Sequence, residues 1–306
     1  MPHEIGDAGD DSASGSAGEE SVGGSAGEDS AGGSAGEDGF SGSAGEESVG
    51  GSAGEDSAGG SDEHGAGGAA GALIELPQSG LLLWLRADRG IQQKDGHVQV
   101  WEDQSGEHMN ATQTSVNLRP AYLPTGFNGR PTLEFDGLGQ FLKFGDGFGD
   151  FSKGLSGLIV AKPTKAECAA MLELSNGSEI DDIMLGVDQK KWAYEVEDAS
   201  IETGNVDLET FSLYGAIHRL GVASELRING SVLSTLDMPV PTVPASGIRV
   251  NNFVGHTLYA GNCGYFQGQI SEIILYSRTL MNSELSAIEK YLDAHWVLSD
   301  QGSPAP

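Results

Sequence analysis

The sequence predicts an all-β domain, an antiparallel β-sandwich with one carboxyl-terminal helix, preceded by a disordered acidic repeat. Three observations carry this prediction. From Leu73 onward, short apolar or alternating runs recur between clusters of Gly, Pro, Asn and Asp. Such runs, with turn signals roughly every 8–12 residues, mark a sandwich or barrel. A single late stretch, Ser283–Trp296, carries apolar residues at helical spacing. Ahead of Ala72 there is almost nothing large and apolar to bury.

The opening segment is a nonapeptide repeat. SAGE begins at Ser16, Ser25, Ser34, Ser43 and Ser52, and EESVGG recurs at Glu19 and Glu46. The first 72 residues hold 22 of the 47 glycines and 16 acidic residues, with no Lys or Arg. Regular nonamers suggest a calcium-binding β-roll, whose unit needs a large apolar residue at a fixed place. Here that place holds Ser or another small residue, so a roll would have no interior. The large apolar side chains of the segment are Met1, Ile5, Val22, Phe40 and Val49. Their burial does not offset ~1–2 kcal/mol of backbone entropy per residue. Residues 1–71 are therefore expected to be a disordered tether with a reach of roughly 45–50 Å, residues 72–298 the folded domain, and residues 299–306 a flexible tail.

Along the domain, Leu81–Arg86 is an apolar run, and His97–Trp101 alternates with Val98 and Val100 on one face. Thr132–Asp136 alternates too. Further strands are predicted over Phe141–Phe144, Gly157–Ala161, Ala170–Leu174, Ile183–Val187, Trp192–Val196, Phe211–Ile217, Glu225–Ile228, Val232–Leu236, Phe253–Leu258 and Gln269–Tyr276. Asn229-Gly230 between two of them reads as a type I′ hairpin turn, because both residues tolerate positive φ. The helix is expected to start with Asn282 or Ser283 as cap. Its Leu285, Ile288, Leu292 and Trp296 form one face to be buried, with Glu289 on the opposite side.

The charge excludes several functions. The chain has 16 Lys and Arg against 45 Asp and Glu, a net charge of −29. An acidic surface repels phosphate backbones, so nucleic acid is not an expected partner. No run of 18 apolar residues occurs, so no membrane-spanning helix is expected. Cys168 and Cys263 are too few for a disulfide-rich scaffold or a four-cysteine zinc site, and their pairing is left open. The histidines form no HExxH pair, and no serine lies in GxSxG.

An ordered set of motifs now stands out. Gly80-Leu-Leu-Leu-Trp84-Leu-Arg-Ala-Asp88 is followed by Val98-x-x-Trp101-x-Asp103-x-Ser105-Gly106 and Asn110-Ala111-Thr112. Then come Arg119-Pro120, Phe127-Asn128-Gly129-Arg130-Pro131 and Leu133-x-Phe135-Asp136-Gly137. The other end reads Phe266-x-Gly268-x-Ile270-x-Glu272-Ile273-Ile274-Leu275-Tyr276-x-Arg278-x-Leu280, leading to Trp296. This set resembles the bacterial laminin-G-like branch of the concanavalin A-like lectin/glucanase superfamily, over most of Leu73–Leu298. The resemblance implies a jelly roll of two antiparallel sheets and a recognition or adhesion module of the cell surface. It also implies one bound calcium ion, for which Asp136, with Asp146 and Asp150 on a Gly-rich loop, are the candidate ligands.

Each chemical signal has a plain structural alternative. Trp101-x-Asp103-x-Ser105-Gly106 reads best as a turn after a strand, with Asp103 and Ser105 bonding backbone N–H groups and Gly106 at positive φ. Glu179, Asp181 and Asp182 read as a solvated acidic loop. Trp84, Trp101 and Trp296 read as core, whereas Trp192 with Tyr194 on the same strand face is the candidate exposed platform for a sugar ring. Retaining glucanases of the superfamily carry Glu-x-Asp-x-x-Glu, which aims two carboxylates into one cleft about 5–5.5 Å apart. Here Glu179-x-Asp181 meets Met184, and Glu195-x-Glu197 meets Ser200. The expected function is thus non-catalytic binding of carbohydrate or an extracellular surface protein. A degenerate glycoside hydrolase and a purely structural spacer are the alternatives. Met1–Ile5 has neither a basic nor an apolar signal region. Extracellular or cell-surface placement is expected from the resemblance and the stalk, with a cytoplasmic location as the alternative.

Overall fold

The computed structural model describes residues 75–259 and 263–300. The repeat and most of the tail fall outside them. Among the described residues, seventeen strands and one α-helix occur. The first strands are β1 (Leu81–Arg86), β2 (Ile91–Lys94), β3 (His97–Trp101), β4 (Ala111–Thr112), β5 (Ala121–Phe127), β6 (Arg130–Asp136) and β7 (Leu142–Lys143). Next come β8 (Leu155–Pro163), β9 (Ala169–Ser175), β10 (Ile183–Asp188), β11 (Lys191–Val196), β12 (Ala199–Asn205) and β13 (Ser212–His218). The last are β14 (Ser224–Ile228), β15 (Ser231–Leu236), β16 (Asn251–Val254) and β17 (Gln267–Tyr276), followed by α1 (Asn282–Trp296).

Antiparallel pairing arranges the strands in two ladders. The first runs β15–β14–β13–β8–β17. The free edge of β17 then pairs with β6 through Gln267–Ile270 and with β1 through Glu272–Tyr276. The second runs β12–β11–β10–β9–β16–β7–β4. Strands β3 and β5 connect them, through β4–β3, β3–β5 and β5–β6. The ladders pack face to face. Trp192 Nε1 of β11 donates to the Gly215 carbonyl of β13 at 3.1 Å, and Ile159, Leu172, Leu185, Tyr214 and Ile273 are buried between the layers. At Gly157 the approach is so close that a Cβ would lie 2.4 Å from Leu185 Cδ2, so a side chain there would displace Leu185.

Strand β1 and β3 coincide with the predicted runs, and Asn229-Gly230 has φ of 49° and 78°, as a type I′ turn requires. Four strands lack the expected pattern. β2 (IQQK) and β12 (ASIETGN) are mostly polar, β4 is two residues long, and β5 (AYLPTGF) contains Pro124 and Gly126. Polar edges and Pro-containing edge strands are stabilised by their neighbours rather than by their own periodicity. The strand expected over Phe253–Leu258 instead occupies Asn251–Val254. It ends because Gly255 takes φ +82° and turns the chain over the ring of Phe135, only 2.6 Å from where a Cβ would sit.

Helix α1 buries Leu285, Ile288, Leu292 and Trp296, the face read from the sequence. Burying each such side chain contributes about 1.5–3 kcal/mol. Neither Asn282 nor Ser283 is the cap. The N-cap is Met281, whose backbone N–H donates to Glu284 Oε2 at 2.8 Å, while Asn282 Oδ1 accepts from Arg219. At the other end Asn128 Nδ2 donates to the Trp296 and Val297 carbonyls. Glu289 is not a blank outer position. It holds Arg227 through two hydrogen bonds, at 2.7 and 3.2 Å.

The polar centre under α1 is Glu272 of β17, wholly buried on the outer face of the first ladder. Its Oε1 accepts from Trp84 Nε1 at 2.6 Å and its Oε2 from Trp296 Nε1 at 2.6 Å, and the Tyr291 hydroxyl donates at 3.1 Å. Burial raises the pKa of this carboxyl, and the two indole donors work against that rise. Beside it, Arg86 pairs with Asp88 at 2.8 Å and Asp88 bonds His295 at 2.9 Å. Burial and these hydrogen bonds act on Asp88 in opposite senses, and its carboxyl ends well below the usual carboxylate range. Every oxygen of Glu272 has a donor, so the group fixes the helix to the sheet.

Candidate functional site

The residues singled out from the sequence go to different places. Trp192 and Tyr194 do share one face of β11, but it is the inner face, and both are fully buried. Trp192 packs on Tyr214 with ring centroids 5.2 Å apart, and the Tyr194 hydroxyl lies 3.0 Å from His218 Nδ1. The exposed platform expected there is therefore absent; strand alternation gave the shared face but not which sheet surface it was. Asp136 Oδ1 accepts from the N–H groups of Leu138, Gly139 and Gln140, closing its own turn. Asp150 Oδ1 likewise accepts from Ser152 N–H at 2.8 Å. Among the described residues no group of three or more His, Cys, Asp and Glu is placed to hold a metal ion, so Asp136, Asp146 and Asp150 do not converge as one ligand set. Asp103 is a turn residue, as read: its oxygens accept from the N–H groups of Trp84, Ser105 and Met109, and Gly106 has φ +98°. Asp182 departs from the solvated loop expected of it, being only 5% exposed.

A different set is brought together on the outer face of the second ladder. Because Trp192, Tyr194 and Val196 point inward, Ala193 and Glu195 point outward. Register then carries the row across the sheet: Glu195 faces Met184 of β10, Met184 faces Glu173 of β9, Glu173 faces Phe253 of β16, and Phe253 faces Lys143 of β7. On β12, Ser200 completes the row beside Glu195. Lys143 Nζ lies 5.6 Å from the centre of the Phe253 ring. Next to Phe253, Phe141 stands edge-on at 5.7 Å, and His256 stacks on Tyr265 at 4.5 Å. Phe141, His256 and Tyr265 are half-buried, so the cluster presents aromatic surface to solvent.

The two carboxylates of the row differ in their bonding. Glu173 is 2% exposed; its Oε1 accepts from Ser175 Oγ and from Leu258 N–H, both at 3.2 Å. Glu195 is half-buried and has no hydrogen-bonding or ion-pair partner among the described residues. Its pKa is pushed up to about 7, first by burial and then by the charges of Asp188, Asp182, Glu202 and Glu173. Burial also lowers the pKa of His256, which favours the neutral imidazole.

The segment after β16 holds the aromatic cluster against this face. Gly255 N–H donates to the Met171 carbonyl at 3.2 Å, Leu258 is tied to Glu173, and His256 bridges to Tyr265. A disulfide joins Cys263 of this segment to Cys168, just before β9. The pairing left open by the sequence thus fastens the loop beside the carboxylates.

Sequence reasoning missed Glu173, Glu195, Phe141, Phe253, His256 and Tyr265 as a group, because register alone brings five separate strands and loops to one row. One signal was present. Glu173 is the single charge within the apolar strand AAMLELS, and a carboxylate there needs a partner or a purpose.

No protein-family model and no curated protein matches the chain. Solved structures do resemble it. Domain 4 of an extracellular arabinanase from Geobacillus stearothermophilus, in complex with arabinotriose, aligns with a TM-score of 0.51 and 14% identity, covering 70% of this chain and 100% of that one. A Trypanosoma rangeli sialidase in complex with sialic acid aligns with a TM-score of 0.50 and 15% identity, covering 74% of this chain. The chain spans 35% of that sialidase's length. At these identities the likeness is one of fold, and it agrees with an antiparallel β-sandwich. Among the described residues no helix is long and apolar enough to cross a membrane.

Proposed function

We propose that the domain is a non-catalytic recognition module of the laminin-G-like jelly-roll kind, binding carbohydrate on the outer face of the β4–β12 ladder. The observation that carries this reading is the half-buried rings of Phe141, His256 and Tyr265 flanking the row Phe253–Glu173–Met184–Glu195, whose last carboxylate has no partner among the described residues. A sugar offers both complements: apolar C–H faces that stack on rings, and hydroxyls that donate to a carboxylate. The arabinanase domain, aligned over its whole length, holds arabinotriose, which supports the reading. A disulfide between Cys168 and Cys263 suits an oxidising compartment and supports work outside the cell, on the acidic tether. A surface protein bearing such sugars would be an equivalent partner.

A glycan array, run with and without calcium, tests this. Glu195→Ala and Tyr265→Ala should each weaken binding to the same glycans by about tenfold or more, the loss of one good polar or stacking contact. Binding unchanged in both variants would place the site elsewhere. Binding to nothing would favour a structural spacer, and loss of binding with chelator would bring calcium into the site.

One observation favours a glycoside hydrolase. Glu173 and Glu195 are in register on either side of Met184, a pair of carboxylates on one face. Against this, Glu173 is spent on anchoring Ser175 and Leu258. Release of reducing ends from a polysaccharide panel, abolished by Glu195→Gln, would establish the hydrolase.

A further inference from the structure

The outer face of the second ladder carries more negative charge than its neighbours neutralise. Ile183 points inward opposite Val196, so Asp182 and Met184, on either side of it, share the outer face with Glu195. Asp182 is only 5% exposed, and its Oδ1 is buried without a hydrogen-bonding partner among the described residues. Of the nearby cations, Arg249 acts on Asp182 through space without a hydrogen bond to it, and the others are engaged elsewhere. Lys191 is paired with Glu202 at 2.5 Å. Arg249, wholly buried, gives its guanidinium to the backbone carbonyls of Asp181, Phe148, Gly149 and Thr242. Lys143 lies over Phe253, on the far side of Glu173.

We propose that this face takes a glycan bearing free amino groups, an oligomer of a 2-amino-2-deoxy sugar, with an ammonium at the half-buried Glu195 beside Asp182 and a further ring of the same oligomer against the half-buried Tyr265. The inference rests on reading the face as a carbohydrate site and assigns its charge class. An ammonium brings N–H donors and a positive charge to Glu195 and to Asp182 Oδ1, which have no donor among the described residues, and this is the strongest form of such a contact. A neutral sugar brings donors alone. A uronate or a sialic acid adds a like charge a few ångströms from three carboxylates, which costs binding energy in a half-buried site. The rings add attraction for the cation through their π faces.

Titration calorimetry with the full chain at about 0.15 M salt separates the outcomes. The probes are a glucosamine oligomer, its N-acetylated counterpart and an oligogalacturonate. The glucosamine oligomer should bind about tenfold or more tighter than the acetylated one, and the uronate should not bind. Glu195→Gln should remove most of that preference, weakening the glucosamine oligomer far more than the acetylated one, and Asp182→Asn should act in the same direction. Both variants keep the acidic repeat, so a preference that survives in both belongs to the repeat and overturns the assignment. Equal or tighter binding of the acetylated or uronate oligomer overturns the charge class and leaves the carbohydrate site standing. Failure of all three to bind removes the site itself. Cooperative thermal unfolding of each variant confirms that it is folded.

Discussion

The two outer faces of the sandwich each bury a glutamate, and they treat it in opposite ways. On the first ladder Glu272 accepts from two indoles and a tyrosine under α1. On the second, half-buried Glu195 has no hydrogen bond among the described residues. Burial raises the pKa of both groups. A buried acceptor with all its donors is part of the packing, whereas one without them costs free energy until something else supplies them. The difference separates a face completed by the chain itself from a face left for a partner.

The largest expected effect breaks the completed face. Trp296→Ala should leave a cavity and remove one donor from Glu272, costing about 3–5 kcal/mol in urea unfolding. Glu272→Gln comes next. Its amide nitrogen would face an indole N–H where an oxygen now accepts, so stability at neutral pH should fall by about 1–3 kcal/mol.

The same substitution on the open face should have the opposite sign. Folded Glu195 titrates near 7, against an ordinary value of 4.5. Between these values the folded state holds a proton that the unfolded chain has released. The stability this proton contributes is complete below the unfolded pKa and is lost as pH rises through the folded one. Glu195→Gln should therefore match wild type near pH 4 and exceed it at pH 8 by on the order of 1–3 kcal/mol. A pH-independent difference between the two proteins would mean that Glu195 is not desolvated as described. Lys290→Ala, on the exposed side of α1, should change stability by under about 0.5 kcal/mol and serves as the reference for all three.

The sequence was most legible where one element decides its own fate. The alternation of His97–Trp101, the apolar stripe of α1 and the Asn229-Gly230 turn each need only local spacing. It was least legible where register between distant strands decides. Trp192 and Tyr194 were correctly placed on one face, yet period two alone does not say which face meets the other sheet. The outer row joins residues 143, 173, 184, 195 and 253, which only pairing across five strands makes neighbours. Glu289 read as a bare surface position because its partner, Arg227, lies 62 residues away.

The bridge between Cys168 and Cys263 also sets how the molecule would respond to proteases. It closes a stretch spanning 95 positions, from β9 through β16, while β8 and β17 outside the stretch zip together from Ser156 to Pro163. The exposed run from Asp237 to Gly247 lies inside the closed stretch. A single cut in that run would therefore yield two fragments joined by a covalent bond and by the central strand pair. On a non-reducing gel the nicked chain should migrate as one species and separate into two only after thiol treatment. Digestion would then nick the domain without parting its two halves.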